Sequence, residues 1–279
     1  MSIRRPGETR APAIALALDA RVAPAAELAR ITGIVALKHY RSRLTVETKA
    51  DGSPVTIADR AAEEAARAWV RANFPEDGIL GEELGEERPG ARRRWVIDPI
   101  DGTKSFVRGA PLWGSLVALC EGERVLAGAA YFPAVEELVA AAPGAGCWWN
   151  GSRCHVSTVD TLANATVLTT DERFRERPER RAGWSELSHS ASISRTWGDC
   201  FGYLLVATGR AEAMCDPILS PWDAAALQPI IEEAGGVFTD WSGVPTAFGG
   251  SAIATNHALA GAVRAVLART DRSPTSLAP

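Results

Sequence analysis

A mixed α/β fold is expected for this chain, and three features of the sequence point to it. Strand-like apolar runs alternate with helix-patterned segments along most of its length, the pattern of helices layered on sheets. Its middle carries three strand-like segments in a row joined by short turns, as in an antiparallel meander. Its 279 residues, 46% of them hydrophobic, can bury a sizeable core as one large domain or two closely packed halves.

Residues 1–11 read as a disordered leader. Arg4 and Arg5 stand before an apolar stretch, but Asp19 and Arg21 close that stretch too early for an export signal. Residues 12–42 space alanine, leucine and isoleucine as helices do, with Pro24 suited to the first position of a new helix. Thr56 and Asp59 form a start signal for a strong helix over 60–71, which ends before Phe74-Pro75. Short strands are expected at 79–80 and 95–97, where Pro99 should force the chain out of the sheet. The meander follows at 112–120, 124–131 and 135–142, and the turn-rich stretch 143–165 leads into a second half.

That half reads as a strand at 166–170, a charged stretch, a strand at 192–196, a helix at 200–208 and a strand at 211–215. A helix at 223–233, a strand at 237–239 and a closing helix at 259–270 complete it. The expected organisation is therefore a half spanning 12–150, a half spanning 151–270 and a loose tail at 271–279.

Composition excludes several classes. A net charge of −4 would repel a nucleic-acid backbone, so a small molecule is the expected partner. No apolar run approaches the roughly 20 residues of a membrane helix. Five cysteines without a CxxC pair read as buried thiols in a reducing compartment, hence the cytoplasm. The four histidines show no ligand spacing, which argues against zinc. Arginines at 92–94 and 173–181 are interleaved with acids and read as solvated surface.

The chemistry concentrates at 98–103, where Asp98-Pro-Ile-Asp101-Gly102-Thr103 follows an apolar strand. Carboxylates hold hard cations, while a glycine turn lets backbone N–H groups approach phosphate oxygens. The alternative is a turn in which Asp101-Gly102 merely reverses the chain. Upstream, Glu82 and Glu83 end another short strand, so four carboxylates could converge at one end of a sheet, where they repel unless cations neutralise them.

The motifs Gly81-Glu-Glu83, Asp98-Pro-Ile-Asp-Gly-Thr103, Pro221-Trp-Asp223 and Glu233-Ala-Gly-Gly236 resemble the signatures of the inositol monophosphatase-like superfamily of metal-dependent, lithium-sensitive phosphatases. The resemblance runs from about Lys49 to Asn256. It leans toward the histidinol-phosphatase branch through Lys49-Ala-Asp-Gly-Ser-Pro-Val-Thr56, Pro111-Leu-Trp-Gly114, Thr196-Trp-Gly-Asp-Cys-Phe-Gly-Tyr203 and Ala224-Ala-Ala-Leu-Gln-Pro229. Trp222 and Leu84 depart from that branch, in which tyrosine and an aromatic residue are usual.

The resemblance implies a layered α-β-α-β-α sandwich and a homodimer. It implies that Glu82, Asp98, the carbonyl of Ile100, Asp101 and Asp223 hold Mg²⁺, two or three ions per site, with two of them about 4 Å apart. Most of these ligands belong to the first half, whereas Asp223 belongs to the second. Thr103 would pair with Asp59 to orient water and accept its proton, and Glu83 would orient a water of the metal. Gly102 and Thr103 would take the phosphate through their backbone. Asp59 and Asp223 also suit helix caps, so each has a structural alternative.

Specificity should come from the second half. Histidinol phosphate carries a cationic amine and an imidazole, for which carboxylates are suited. Asp216, at the position of a substrate-contacting glutamate in the inositol branch, joins Asp199 and Arg195 as the expected specificity set, with ordinary loop acids as the alternative. Trp113 and Trp197 could face an imidazole. The implied reaction is Mg²⁺-dependent phosphomonoester hydrolysis, first of histidinol phosphate. Alternatives are inositol-1-phosphate or sugar phosphates, adenosine 3′,5′-bisphosphate, or a non-enzymatic module acting on the transcription machinery.

Overall fold

The computed structural model describes residues 19–42, 45–49 and 54–268. The expected leader, the stretch 12–18, residues 50–53 and the expected tail lie outside these residues.

Helix α1 (Ala23–Leu37) carries Pro24 in its first turn, where a missing N–H costs nothing. A short hairpin, β1 (Glu47–Thr48) and β2 (Pro54–Val55), precedes helix α2 (Ile57–Asn73). A capping box starts α2: Ala58 N–H donates to Thr56 Oγ1 at 3.1 Å, and Thr56 N–H donates to Asp59 Oδ2 at 2.7 Å.

The first sheet is built from β3 (Gly78–Gly81), β4 (Gly85–Glu87), β5 (Arg94–Asp101), β6 (Gly114–Glu121), β7 (Arg124–Phe132), β8 (Glu137–Ala142), β9 (Gly146–Trp149) and β10 (Ser152–Arg153). Its spatial order is β10-β9-β8-β7-β6-β5-β3-β4. Only β3 and β5 run parallel, and the expected meander is β6 to β8. A short helix, α3 (Thr103–Phe106), leaves the end of β5.

The second sheet and its helices follow as β11 (Thr166–Leu168), α4 (Arg181–Ser190), β12 (Ile193–Arg195), α5 (Asp199–Ala207), β13 (Ala213–Asp216), α6 (Pro221–Ala224), α7 (Leu227–Glu233), β14 (Val237–Thr239), β15 (Ala252–Thr255) and α8 (Ala260–Ala268). Strand order is β12-β11-β13-β15-β14, with β11 parallel to both neighbours.

Three apolar interfaces stack these elements into five layers. Strand alternation sends Trp95 and Ile97 to one face of β5 and Val96 to the other. On the first face Trp95 and Ile97 meet Leu28 of α1 and Val70 of α2. On the second, Val96, Leu116 and Phe132 pack with Tyr203 of α5 and Ile230 of α7, which in turn cover Met214 and Ala254 of the second sheet. The far face of that sheet buries Val167 and Ile253 under Trp184 of α4 and Val263 of α8. The result is the expected α-β-α-β-α sandwich, a mixed α/β fold. Among the described residues no helix is long and apolar enough to cross a membrane.

Several local expectations are corrected. Pro99 does not end β5: the register against β6 shifts between Asp98 and Asp101, and the proline, which has no N–H to offer, falls in that irregularity. The stretch 143–165 contains the hairpin β9-β10, and the charged stretch runs into α4, whose Trp184 and Leu187 supply a buried side. Strand β15 adds a segment that is not among the expected elements. The helix expected over 223–233 is two, α6 and α7. All five cysteines are free and buried, and Cys147 and Cys154 face each other across β9-β10 with their sulfurs 3.4 Å apart. Of the arginines at 92–94, Arg92 and Arg94 pair with Glu121 and Glu86 at the surface, whereas Arg93 reaches the buried Asp77.

Candidate active site

Parallel pairing of β3 with β5, in register at Gly81 and Ile97, brings the C-terminal ends of both strands to the same side of the sheet. Glu82 and Glu83 therefore emerge beside Asp98 and Asp101. The irregularity at Pro99 matters here, because it lets Asp98 and Asp101 serve one cavity from a single strand. Asp98 is held by Ile100 N–H, which donates to its Oδ1 at 2.9 Å. Asp101 Oδ2 accepts Cys200 N–H at 2.5 Å, tying the strand end to α5 across the two sheets.

The third acid arrives from α6. Asp223 is the third residue of that helix rather than its cap, and its Oδ2 accepts Ser220 N–H at 2.7 Å in a capping box. One oxygen is thus spent on the helix start while the carboxylate still faces the strands. Carboxylate oxygens of Asp98, Asp101 and Asp223 lie within 4.8 Å of one another. Glu82 stands beside this trio, next to Asp98; its Oε1 accepts Lys49 Nζ at 2.8 Å, and Glu83 Oε1 accepts the same ammonium at 2.6 Å.

Like charges buried this close resist ionisation. Burial, then the charges of Glu82, Asp101 and Asp223, push Asp98 well above the usual carboxylate range. Asp101 is raised by burial and by Asp199 and Asp223. Burial and Glu82 lift Asp223 to about 7 despite the Ser220 hydrogen bond. Glu83 rises to about 7 through burial, partly offset by Lys49. Burial alone would lower the Lys49 ammonium, yet hydrogen bonds to both glutamates more than reverse this and raise it.

Asp59, buried on α2, has Oδ2 committed to the Thr56 N–H and hydroxyl, each at 2.7 Å, whereas its buried Oδ1 has no partner. Burial raises it. Asp59 and Thr103 make no direct hydrogen bond with each other: Thr103 Oγ1 donates to Ile100 O at 3.0 Å. Gly102 caps α3 at φ +87°, a left-handed conformation that a side chain disfavours, and a Cβ there would also crowd Leu112 O.

Of the expected specificity set, Asp199 comes closest to this turn. Its Oδ2 lies 3.2 Å from where a Cβ of Gly102 would sit, and its own φ is +50°. Its N–H donates to Thr170 Oγ1 at 2.8 Å, and burial lifts its carboxyl to about 6. Asp216 faces inward instead: Oδ1 accepts Thr170 N–H and Oδ2 accepts Tyr203 Oη, both at 3.1 Å. Arg195 is exposed and donates to Ser194 O. Trp113 is buried against Phe106 and Tyr40, while Trp197 is exposed.

Sequence reading missed Glu63, Arg67, Thr170 and Tyr203. For the first two a signal existed: Asp59, Glu63 and Arg67 recur at i, i+4 beside the alanine stripe 58, 62 and 66, so the charges share a buried face. Thr170 and Tyr203 carry no such mark.

The donor set fits a hard divalent cation. Asp98, which is buried, and Asp101 and Asp223, which are half-buried, present only oxygen atoms, the donor type that Mg²⁺ takes, and Asp59 Oδ1 is buried without a partner.

Residues 18–271 match the inositol monophosphatase family. The chain is 44% identical over 238 residues to a histidinol-phosphatase of Chlorobaculum parvum, covering 84% of this chain and 92% of that relative. It is 41% identical over 221 residues to a histidinol-phosphatase of Mycobacterium tuberculosis, covering 77% and 85%. Among solved structures, an inositol monophosphatase from Zymomonas mobilis is similar with a TM-score of 0.78 at 35% identity, covering 88% of this chain and 96% of that one.

Proposed function

Because the chain belongs to the inositol monophosphatase family, whose members are metal-dependent and act on phosphate esters, we propose that it is a Mg²⁺-dependent phosphomonoesterase with histidinol phosphate as its substrate. The observation that carries the reaction is the trio Asp98, Asp101 and Asp223 at the end of β5, beside the left-handed turn of Gly102. For the substrate, support comes from the similarity to two histidinol-phosphatases and from Asp199 at that same turn.

Asp98, Asp101 and Asp223, with Glu82 and the carbonyl of Ile100, would hold two Mg²⁺ ions. When bound, the cations neutralise the acids, polarise the ester and activate water, supplying much of the ~20 kcal/mol or more by which such hydrolysis must be accelerated. The protein's own residues do the rest. Thr56 fixes Asp59 Oδ2, which leaves the unpartnered Oδ1 to accept the proton of the attacking water. Thr103 orients that water through its hydroxyl, exchanging its bond to Ile100 for one to the water. Glu83, kept close by Lys49, helps to order water at the mouth. Backbone N–H groups at Gly102 and Thr103 hold the ester phosphate at the start of α3.

Leaving-group recognition falls to Asp199, whose carboxylate suits a cationic amine. Asp216 contributes from behind, through Thr170, and Arg195, exposed on β12, completes the proposed set. A second reading, hydrolysis of inositol-1-phosphate, is favoured by Trp222 next to Asp223, a position where tryptophan resembles the inositol branch of the family. Steady-state phosphate release from histidinol phosphate, inositol-1-phosphate and adenosine 3′,5′-bisphosphate tests the assignment. Histidinol phosphate should have the highest kcat/KM; faster turnover of either other ester would overturn it.

A further inference from the structure

We propose that Glu63 is a positioning residue for the acidic site: backed by Arg67, its carboxylate sets the turn that carries Glu82 and Glu83. Glu63 lies on α2 and is fully buried, outside the group of acids to which a role has been given above. Its Oε2 accepts Glu83 N–H at 2.7 Å, and its Oε1 accepts Leu84 N–H at 3.2 Å. Arg67, one helical turn on, supplies the countercharge at 2.7 Å and donates a further hydrogen bond to Gly85 O at 2.5 Å. On the other side, Glu82 N–H donates to Ile97 O at 3.2 Å. The turn is therefore gripped by one ion pair at 83, 84 and 85 and by β5 at 82.

Three physical points separate this from an ordinary helix salt bridge. An i, i+4 pair can satisfy itself on the helix surface, yet here both members reach past each other to main-chain groups of the turn. A carboxylate beside Glu82 and Glu83 moreover adds negative charge to an acidic region and needs Arg67 to offset it. It is explained by the donors: only a carboxylate presents an acceptor at both oxygens, whereas glutamine would turn an NH₂ toward one of the two N–H groups. Finally, Gly81 has no side chain where a Cβ would overlap the Glu63 carboxylate, so the strand end is shaped to receive it.

The inference rests on Glu82 being a metal ligand, and the test keeps the two apart. Mg²⁺ binding to the full-length protein is measured by titration calorimetry for wild type, Glu63→Gln, Gly81→Ala and Glu82→Gln, with kcat at saturating Mg²⁺ alongside. Glu63→Gln and Gly81→Ala should each weaken Mg²⁺ binding by about tenfold, the usual cost of losing a group that orients a metal ligand. Their kcat at saturating Mg²⁺ should recover to within about threefold of wild type, because the ligands themselves remain. Glu82→Gln should lose most of the affinity. If both Glu63→Gln and Gly81→Ala bind Mg²⁺ as wild type does while Glu82→Gln does not, Glu63 is merely structural and the proposal fails. Unchanged binding by Glu82→Gln instead overturns the ligand role of Glu82. Should Glu63→Gln not fold, Gly81→Ala, which crowds the Glu63 carboxylate while keeping both charged side chains, decides the matter.

Discussion

The phenolic hydroxyl of Tyr203 donates to Asp216 Oδ2 across 3.1 Å, with both residues buried between the two sheets. The other oxygen of Asp216 takes Thr170 N–H, and the hydroxyl of Thr170 takes Asp199 N–H. A line of hydrogen bonds thus runs from the interior of α5 to the carboxylate beside Gly102. Tyr203→Phe leaves Asp216 Oδ2 buried without its donor. It should destabilise the protein by about 1–3 kcal/mol in urea denaturation, the usual cost of an orphaned buried acceptor.

Asp199→Asn removes a charge while keeping the hydrogen-bonding shape of the side chain. KM for histidinol phosphate should rise by about tenfold, because a charge-assisted bond to its amine is lost. KM for an uncharged leaving group such as inositol should change little. Initial rates on both esters give the comparison, and equal effects would remove Asp199 from the specificity role.

Stability of the metal-free protein should depend on pH in an unusual direction. Glu83 and Asp223 sit near 7 in the folded protein through burial, above the ordinary carboxylate range they regain on unfolding. Between these values the folded state binds more protons than the unfolded one, so stability falls as pH rises. Tm measured without metal should be higher at pH 5 than at pH 8. Added Mg²⁺ should raise Tm more at pH 8, where the acids are free to bind it.

Asp98→Asn should separate stability from activity. It removes one of the mutually repelling carboxylates, so the metal-free variant should melt about 3 °C higher, an effect of roughly 1 kcal/mol in a chain of this size. Phosphatase activity should fall by at least about a hundredfold, since cation stabilisation of the transition state is compromised. Calorimetry and phosphate release measure the two halves of the prediction.

Local chemistry carried far in this chain. The alanine-rich α2 with its Thr56 and Asp59 start, the meander β6 to β8 and the acidic ends of β3 and β5 are all readable from residue type and period. Reading failed where neighbours overrode local preference. Pro99 would end an ordinary strand, but an irregularity opposite β6 absorbs it. Helix α4 hides behind a run of arginines because only Trp184 and Leu187 mark its buried side. Asp216 has the right residue type for a ligand, and nothing adjacent to it in the chain announces that Tyr203 and Thr170 occupy both its oxygens.

Composition, periodicity and short motifs were enough to specify a layered α/β protein with acids clustered at a strand end, because those features depend on neighbours only a few positions apart. Which carboxylates share a cavity, which are pinned to main chain and which keep a free oxygen are settled by contacts between residues 20 to 100 positions apart, such as Glu63 with Glu83 and Cys200 with Asp101. Those contacts form when two sheets and three helical layers close on one another. The energy of a buried charge depends on what surrounds it in space, and sequence distance does not encode that.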